Sequence, residues 1–260
     1  MSSSLPQQHT SKGLLGSSLI VASMTMLSRV LGLVRDIVIA SMFGAGSHAD
    51  AFFVAFKIPN FLRRLFAEGA FNQAFVPVLA EISQQGDRQL LKAMVSKVSG
   101  SLLLVLSVIT VSALVAAPVL ALVFAPGFAD DGDKLGLTAD MLRITFPYLL
   151  LISMTGFLGS LLNHAQRFAI PALTPVLLNL SLITAALWLA PQMRVPVMAL
   201  AWGVLAAGIL QLALQLPFVA RLGLLVKPQI GFSDVRVKQV MRLMLPAMFG
   251  VSVAQINLLL

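Results

Sequence analysis

Residues 24–36 read MTMLSRVLGLVRD, residues 44–50 read GAGSHAD, and residues 51–81 read AFFVAFKIPNFLRRLFAEGAFNQAFVPVLAE. The two flanking stretches are apolar enough to enter a bilayer. Yet they carry Arg29, Arg35, Asp36, Asp50, Lys57, Arg63, Arg64 and Glu68. A centrally placed Arg, Lys or Asp costs roughly 2.5–3.5 kcal/mol on insertion. Several of them facing lipid would prevent insertion, so they must line a wet interior or pair within a bundle. That conflict decides the reading of the whole chain.

Working outward, 58% of the 260 residues are apolar and only 11% are charged, with a mean hydropathy of +0.93. Soluble domains run at about 45–50% apolar and about 25% charged. The fold class expected is therefore an all-α polytopic membrane protein. With no cysteine in the sequence, disulfides, thiolate metal sites and thiol catalysis are excluded. The net charge of +8 is read as loop lysines and arginines facing the cytoplasm, not as a nucleic-acid surface. His9, His48 and His164 lack metal-ligand spacing. No metal, cofactor or catalytic set is expected.

A membrane span needs about 20 mostly apolar residues. Such runs place helices near 14–43, 48–80, 95–124, 140–163, 169–190 and 196–220, and a seventh from about 239 to the last residue. This predicts a polar cytoplasmic tail (1–12), a six-helix transmembrane lobe (13–220), a basic cytoplasmic linker (221–238) and the first helix of a second lobe (239–260). The linker is expected to lie along the inner leaflet, attracted by anionic lipid. The chain ends on Leu258-Leu259-Leu260 and is read as part of a longer protein. With the N-terminus in the cytoplasm, ten of the 18 Lys and Arg fall in the tail and inner loops, against Lys134 and Arg194 outside. That bias orients the chain. Inside the spans, Ala199, Gly203 and Ala207 form a row that lets helices approach closely. Gln211 and Gln215 lie one turn apart and are expected to bond a neighbouring helix or line a cavity.

In the second span Asp50, Lys57 and Arg64 are spaced by seven and Glu68 follows by four, which puts them on one stripe, with Arg63 beside it. In the first span Arg29, Gly32 and Asp36 share a stripe and Arg35 lies about a third of a turn away. Pro59 removes a backbone hydrogen bond in mid-span. Pairs such as Asp50–Lys57 or Arg64–Glu68 would neutralise part of the charge. Five cations against Asp36, Asp50 and Glu68 still leave a positive surplus. Arginine's planar fork suits phosphate and keeps its charge at any relevant pH, so a phosphate- or diphosphate-bearing lipid is the expected ligand.

The stretches 23–36 and 43–81, with APGFAD (125–130), ITFPYLLLIS (144–153) and PALTPVLLN (171–179), resemble the lipid II flippases (MurJ/MviN). These belong to the superfamily of multidrug and oligosaccharidyl-lipid exporters. The resemblance runs over about 13–260 and implies the N-terminal half of a fourteen-span, two-lobed protein of the bacterial inner membrane. It implies that Arg29, Arg35, Asp50, Arg63 and Arg64 face a central cavity that takes the diphosphate and sugar head of lipid II. Gln255 would join them from the opening helix of the second lobe. Asp36, Lys57 and Glu68 would serve as gating or ion-pair partners. The partners implied are lipid II, membrane lipids and the remainder of the C-terminal lobe.

Two other readings are open. A multidrug exporter of the same superfamily would handle cationic drugs, which a positive seam opposes. A membrane-embedded polyprenyl-diphosphate transferase would need acidic metal sites. The acidic cluster Asp130-Asp131-Gly132-Asp133 is read instead as a solvated outer loop.

Overall fold

The computed structural model describes residues 9–44, 46–63 and 70–256, with side chains placed for 19–44, 46–63, 70–247 and 249–250. Its order is α1 (His9–Phe43), α2 (Ser47–Arg63), α3 (Phe71–Gln84), α4 (Arg88–Val115), α5 (Ala117–Phe124), α6 (Gly132–Thr145), α7 (Pro147–His164), α8 (Ala169–Ala172), α9 (Thr174–Thr184), α10 (Met198–Arg221) and α11 (Val235–Ile256). No strand occurs among the described residues. Four stretches, 88–115, 132–164, 169–192 and 198–221, are both long and apolar enough to cross a membrane. The expected lobe of six helices is thus met in outline. Its second pass appears as α2 and α3 on either side of the undescribed residues 64–69.

Proline and caps explain where the helices break. Pro118 and Pro147 stand in the first turns of α5 and α7, where a missing N–H costs least. The third and fourth spans are each divided into two helices at these points, and only α6 and α7 form one continuous membrane-length stretch. The fourth span starts eight residues earlier than expected, at Gly132, because Asp131 caps it by accepting the Lys134 N–H at 3.0 Å. Part of the acidic outer loop is therefore a helix cap. Asp87 does the same for α4, accepting from the Gln89 and Leu90 N–H groups.

Inside α2, Pro59 cannot donate to the Ala55 carbonyl one turn back, and the helix nonetheless runs on to Arg63. The Thr145 hydroxyl at the end of α6 donates to that carbonyl at 2.9 Å. A neighbouring helix thus supplies the donor that proline lacks.

Two apolar clusters hold the lobe. One gathers Phe52, Ile58, Met141, Leu142, Tyr148, Leu149, Leu200 and Val204. The other gathers Phe71, Phe75, Val78, Leu79, Met94, Phe157, Leu161 and Val219, with Val237 and Val240 of α11. The row Ala199, Gly203, Ala207 is buried as expected. A Cβ on Gly203 would come within 2.7 Å of Ala185.

The linker is fastened to α4 by hydrogen bonds and remains largely exposed on its outer side. Residues 224–231 form no regular element and run beside α4. The Gln229 N–H donates to the Ser96 carbonyl at 2.9 Å. The Ser96 hydroxyl donates to the Lys227 carbonyl at 2.6 Å, and the Gly231 N–H donates to Ser101 Oγ at 3.0 Å. Lys97 pairs with Asp234 at 2.7 Å. The chain can lie this close because Gly100 has no side chain; a Cβ there would sit 2.3 Å from the Gln229 carbonyl oxygen.

Candidate functional site

Between the two apolar clusters, along α7, lies a cavity of about 290 Å³. Its wall is unusually polar for a bundle so apolar. Arg63 enters from α2, Asn72 from α3, Thr155, Ser160 and Asn163 from α7, Thr174 from α9, and Gln211 and Gln215 from α10. Apolar surface comes from Tyr148, Ile152, Pro171, Pro175 and Leu178. No Asp or Glu lines it among the described residues.

The polar groups are tied to each other. Arg63 Nε donates to Asn60 Oδ1 at 2.9 Å, one turn back on the same helix. The Ser160 hydroxyl donates to Asn72 Oδ1 at 2.6 Å, joining α7 to α3. Gln211 Nε2 donates to the Thr174 carbonyl at 2.8 Å and Gln215 Nε2 reaches Thr174 Oγ1 at 3.3 Å. The expectation that these glutamines bond a neighbouring helix or line a cavity is met in both parts.

Of the predicted residues that are described, Arg63 lines this cavity and Arg29, Arg35, Asp36, Asp50 and Lys57 do not. Arg35 is half-buried against α9. Its Nη1 donates to Asn179 Oδ1 at 3.0 Å, while Nε and Nη2 donate to Asp36 Oδ1 at 2.9 and 2.7 Å. Asn179 in turn donates to the Ser28 carbonyl at 2.9 Å, so one amide anchors α1 at two places. Arg29 and Asp36 lie on exposed faces of α1. On α2, Asp50 and Lys57 occupy one exposed stripe, opposite the buried Phe52, Ala55 and Ile58, which is the stripe that their spacing predicts. Asp50 pairs with Lys134 at 2.9 Å, not with Lys57. Lys134 also stands 4.0 Å over the Phe128 ring. Arg29 and Lys57 make no hydrogen bond or ion pair with a described residue. Arg64 and Glu68 lie outside the described residues, and so does the side chain of Gln255.

Sequence reasoning missed Asn179, Asn72, Asn163 and Thr174. Asn179 carried the same signal as the glutamines, an amide in the middle of an apolar run. It is 5% exposed and fully engaged.

The comparisons with known proteins agree with one another. The family model described as lipid II flippase MurJ matches residues 39–260. A probable lipid II flippase of Haemophilus influenzae is 51% identical over 91% of this chain and 48% of its own length. One of Vibrio cholerae is 45% identical over 96% of this chain and 49% of its own. A lipid II flippase of Burkholderia cenocepacia is 45% identical over 93% and 48%. The chain therefore spans about half the length of the curated relatives it matches. Among solved structures, a lipid II flippase in an inward closed conformation superposes with a TM-score of 0.71 at 23% identity, over 92% of this chain and 49% of that one. A multidrug exporter (MATE) follows with 0.69 at 15% identity, over 95% and 55%. At such identities the two likenesses show the fold alone.

Proposed function

The chain belongs to the lipid II flippase MurJ family, and from that premise we propose that it forms the N-terminal half of a flippase that moves a diphosphate-linked sugar head group across the bacterial inner membrane. The observation that carries this reading is Arg63 at a polar cavity inside an apolar bundle. A guanidinium is costly there and matches a phosphate's oxygens in pairs. Arg29 and Lys57, exposed on α1 and α2 without partners among the described residues, would supply further positive charge to the anion. Arg35, Asp50 and Gln255 are proposed to face the same head group. Asp36, Lys57 and Glu68 would exchange ion pairs as the two lobes rock, and Arg64 would stand beside Arg63.

Movement follows alternating access between two lobes around a central site. A ligand shifts that equilibrium only by its difference in affinity for the two states, so the arginines must contact the diphosphate unequally in them. The N-terminus is proposed to be cytoplasmic. In the structure Arg88, Arg221 and Lys227 gather at one end of the lobe, where Arg88 donates to the Leu222 carbonyl at 3.0 Å. The test is Arg63→Ala and Arg29→Ala in the protein completed by the second half that its relatives carry, scored by exposure of lipid II at the outer leaflet. Exposure should fall at least tenfold, about 1.4 kcal/mol. Undiminished flipping at normal protein levels would overturn the roles of these two residues.

The multidrug-exporter reading has only the shared fold behind it, and a cavity with an arginine and no described acid suits anions.

A further inference from the structure

Lys134 stands where helix electrostatics disfavour it. It lies in the first turn of α6, where the partial positive charge of the N-terminal N–H groups favours anions and opposes cations. Its side chain is only 15% exposed, whereas that of its ion-pair partner Asp50 is 58% exposed. The lysine is thus the anchored member of the pair and the carboxylate the open one. Three contacts anchor it. Its N–H donates to Asp131 Oδ1 at 3.0 Å, its carbonyl accepts the Thr138 hydroxyl at 2.8 Å, and its ammonium lies 4.0 Å from the centre of the Phe128 ring. An ion pair with one open member adds about 0–1 kcal/mol to stability. That does not account for burying a cation at this end of a helix.

What Lys134 fixes is Asp50. Its Nζ donates to Asp50 Oδ2 at 2.9 Å, and Asp50 Oδ1 receives no hydrogen bond from a described residue. The tie comes from the same helix that holds the Ala55 carbonyl through Thr145. Fastened to α6 at both places, α2 is set in rotation, and the stripe of Asp50 and Lys57 stays exposed. Charge matters as much as position. A bare carboxylate on that stripe would repel an anionic head group. Paired with an ammonium it is neutral overall, and Oδ1 is still free to accept a hydroxyl or amide N–H.

We propose that Lys134 is a positioning residue: it holds and neutralises the Asp50 carboxylate, so that an anionic head group can pass or rest beside an acid that would otherwise repel it. The inference rests on the reading above that Asp50 faces a diphosphate-linked head group. It adds to that reading the residue that makes the acid tolerable there.

The test measures binding of polyprenyl diphosphate in nanodiscs to the protein completed by the second half that its relatives carry. Lys134→Met should weaken binding several-fold, and Lys134→Arg should bind as the native protein does. Adding Asp50→Asn to Lys134→Met should restore affinity to within about twofold of native, the scatter of such cycles, because the repelling carboxylate is gone. A merely structural tie would not be repaired by removing its second member, so a weakened Lys134→Met that Asp50→Asn fails to rescue overturns the proposal. Native affinity in Lys134→Met overturns it too. Arg194→Met removes the other cation expected on the outer side and should leave binding unchanged; equal weakening there would assign the effect to overall charge and overturn the role of Lys134. A native protein that does not bind the lipid overturns the diphosphate reading itself.

Discussion

The hydrogen bond from Thr145 to Ala55 shows how a single side chain keeps a proline inside a membrane helix. The carbonyl left open by Pro59 is buried, and an unpaired buried acceptor costs about 1–3 kcal/mol. Thr145→Val keeps the shape and loses the donor, so it should lower stability by that amount in a thermal unfolding measurement in detergent. Thr145→Ser should recover most of it. A neutral Thr145→Val would mean that Ala55 finds another donor. Arg35 makes the complementary point about charge. Its fork engages Asp36 and Asn179 together, which a lysine's single ammonium could not do in the same geometry. Residue spacing puts Arg35 about a third of a turn from the stripe of Arg29 and Asp36. It could not predict that Arg35 leans on α9, because Asn179 lies 144 residues further along the chain.

At the scale of elements, the linker and α4 behave as one unit. Gly100→Ala places a methyl where the Gln229 backbone now runs. Backbone cannot swing away as a flexible side chain can, so the overpacking should cost about 1–3 kcal/mol. Protease cleavage between 224 and 231 should become faster, while Gly127→Ala, in open space, should change nothing. Continued protection in Gly100→Ala would show that the linker is held elsewhere. The pair at the end of this strap also titrates. The Lys97 ammonium bonded to Asp234, helped by the Arg236 and Val237 N–H groups, holds the Asp234 carboxyl below its ordinary value against the opposing effect of burial. A carboxyl with a depressed folded-state value stabilises the fold above its unfolded value of about 3.9 and loses that contribution as pH falls through the lowered value. Linker protection should therefore hold at neutral pH and decline only below about pH 4. Asp234→Asn should lack that acid transition; an identical decline in the variant would assign it to another group.

For the whole molecule, the two ends of the lobe are chemically different. One carries the acidic turn around Asp130 and the Asp50–Lys134 pair; the other carries Arg88, Arg221 and the linker. Asymmetry of Lys and Arg across short loops orients membrane proteins. With a cysteine-free background, Gly127→Cys should react with an impermeant thiol reagent in intact cells, and Lys227→Cys only after permeabilisation. The reverse pattern would invert the topology. The two-cluster core also separates the tasks of the lobe. Apolar packing at both ends leaves the middle of α7 free to line a polar cavity without loss of the fold.

Hydropathy and helical spacing were enough to establish the class of fold, the passes in outline and the exposed Asp50–Lys57 stripe. These are legible in one dimension because insertion cost is a property of each residue and its near neighbours. The cavity itself, the amide network of Asn72, Thr174, Asn179, Gln211 and Gln215, the rescue of the Ala55 carbonyl and the path of the linker were decided by tertiary structure alone. Hydrogen bonds act over about 3 Å, so which donor meets which acceptor depends on helices distant in sequence being brought side by side.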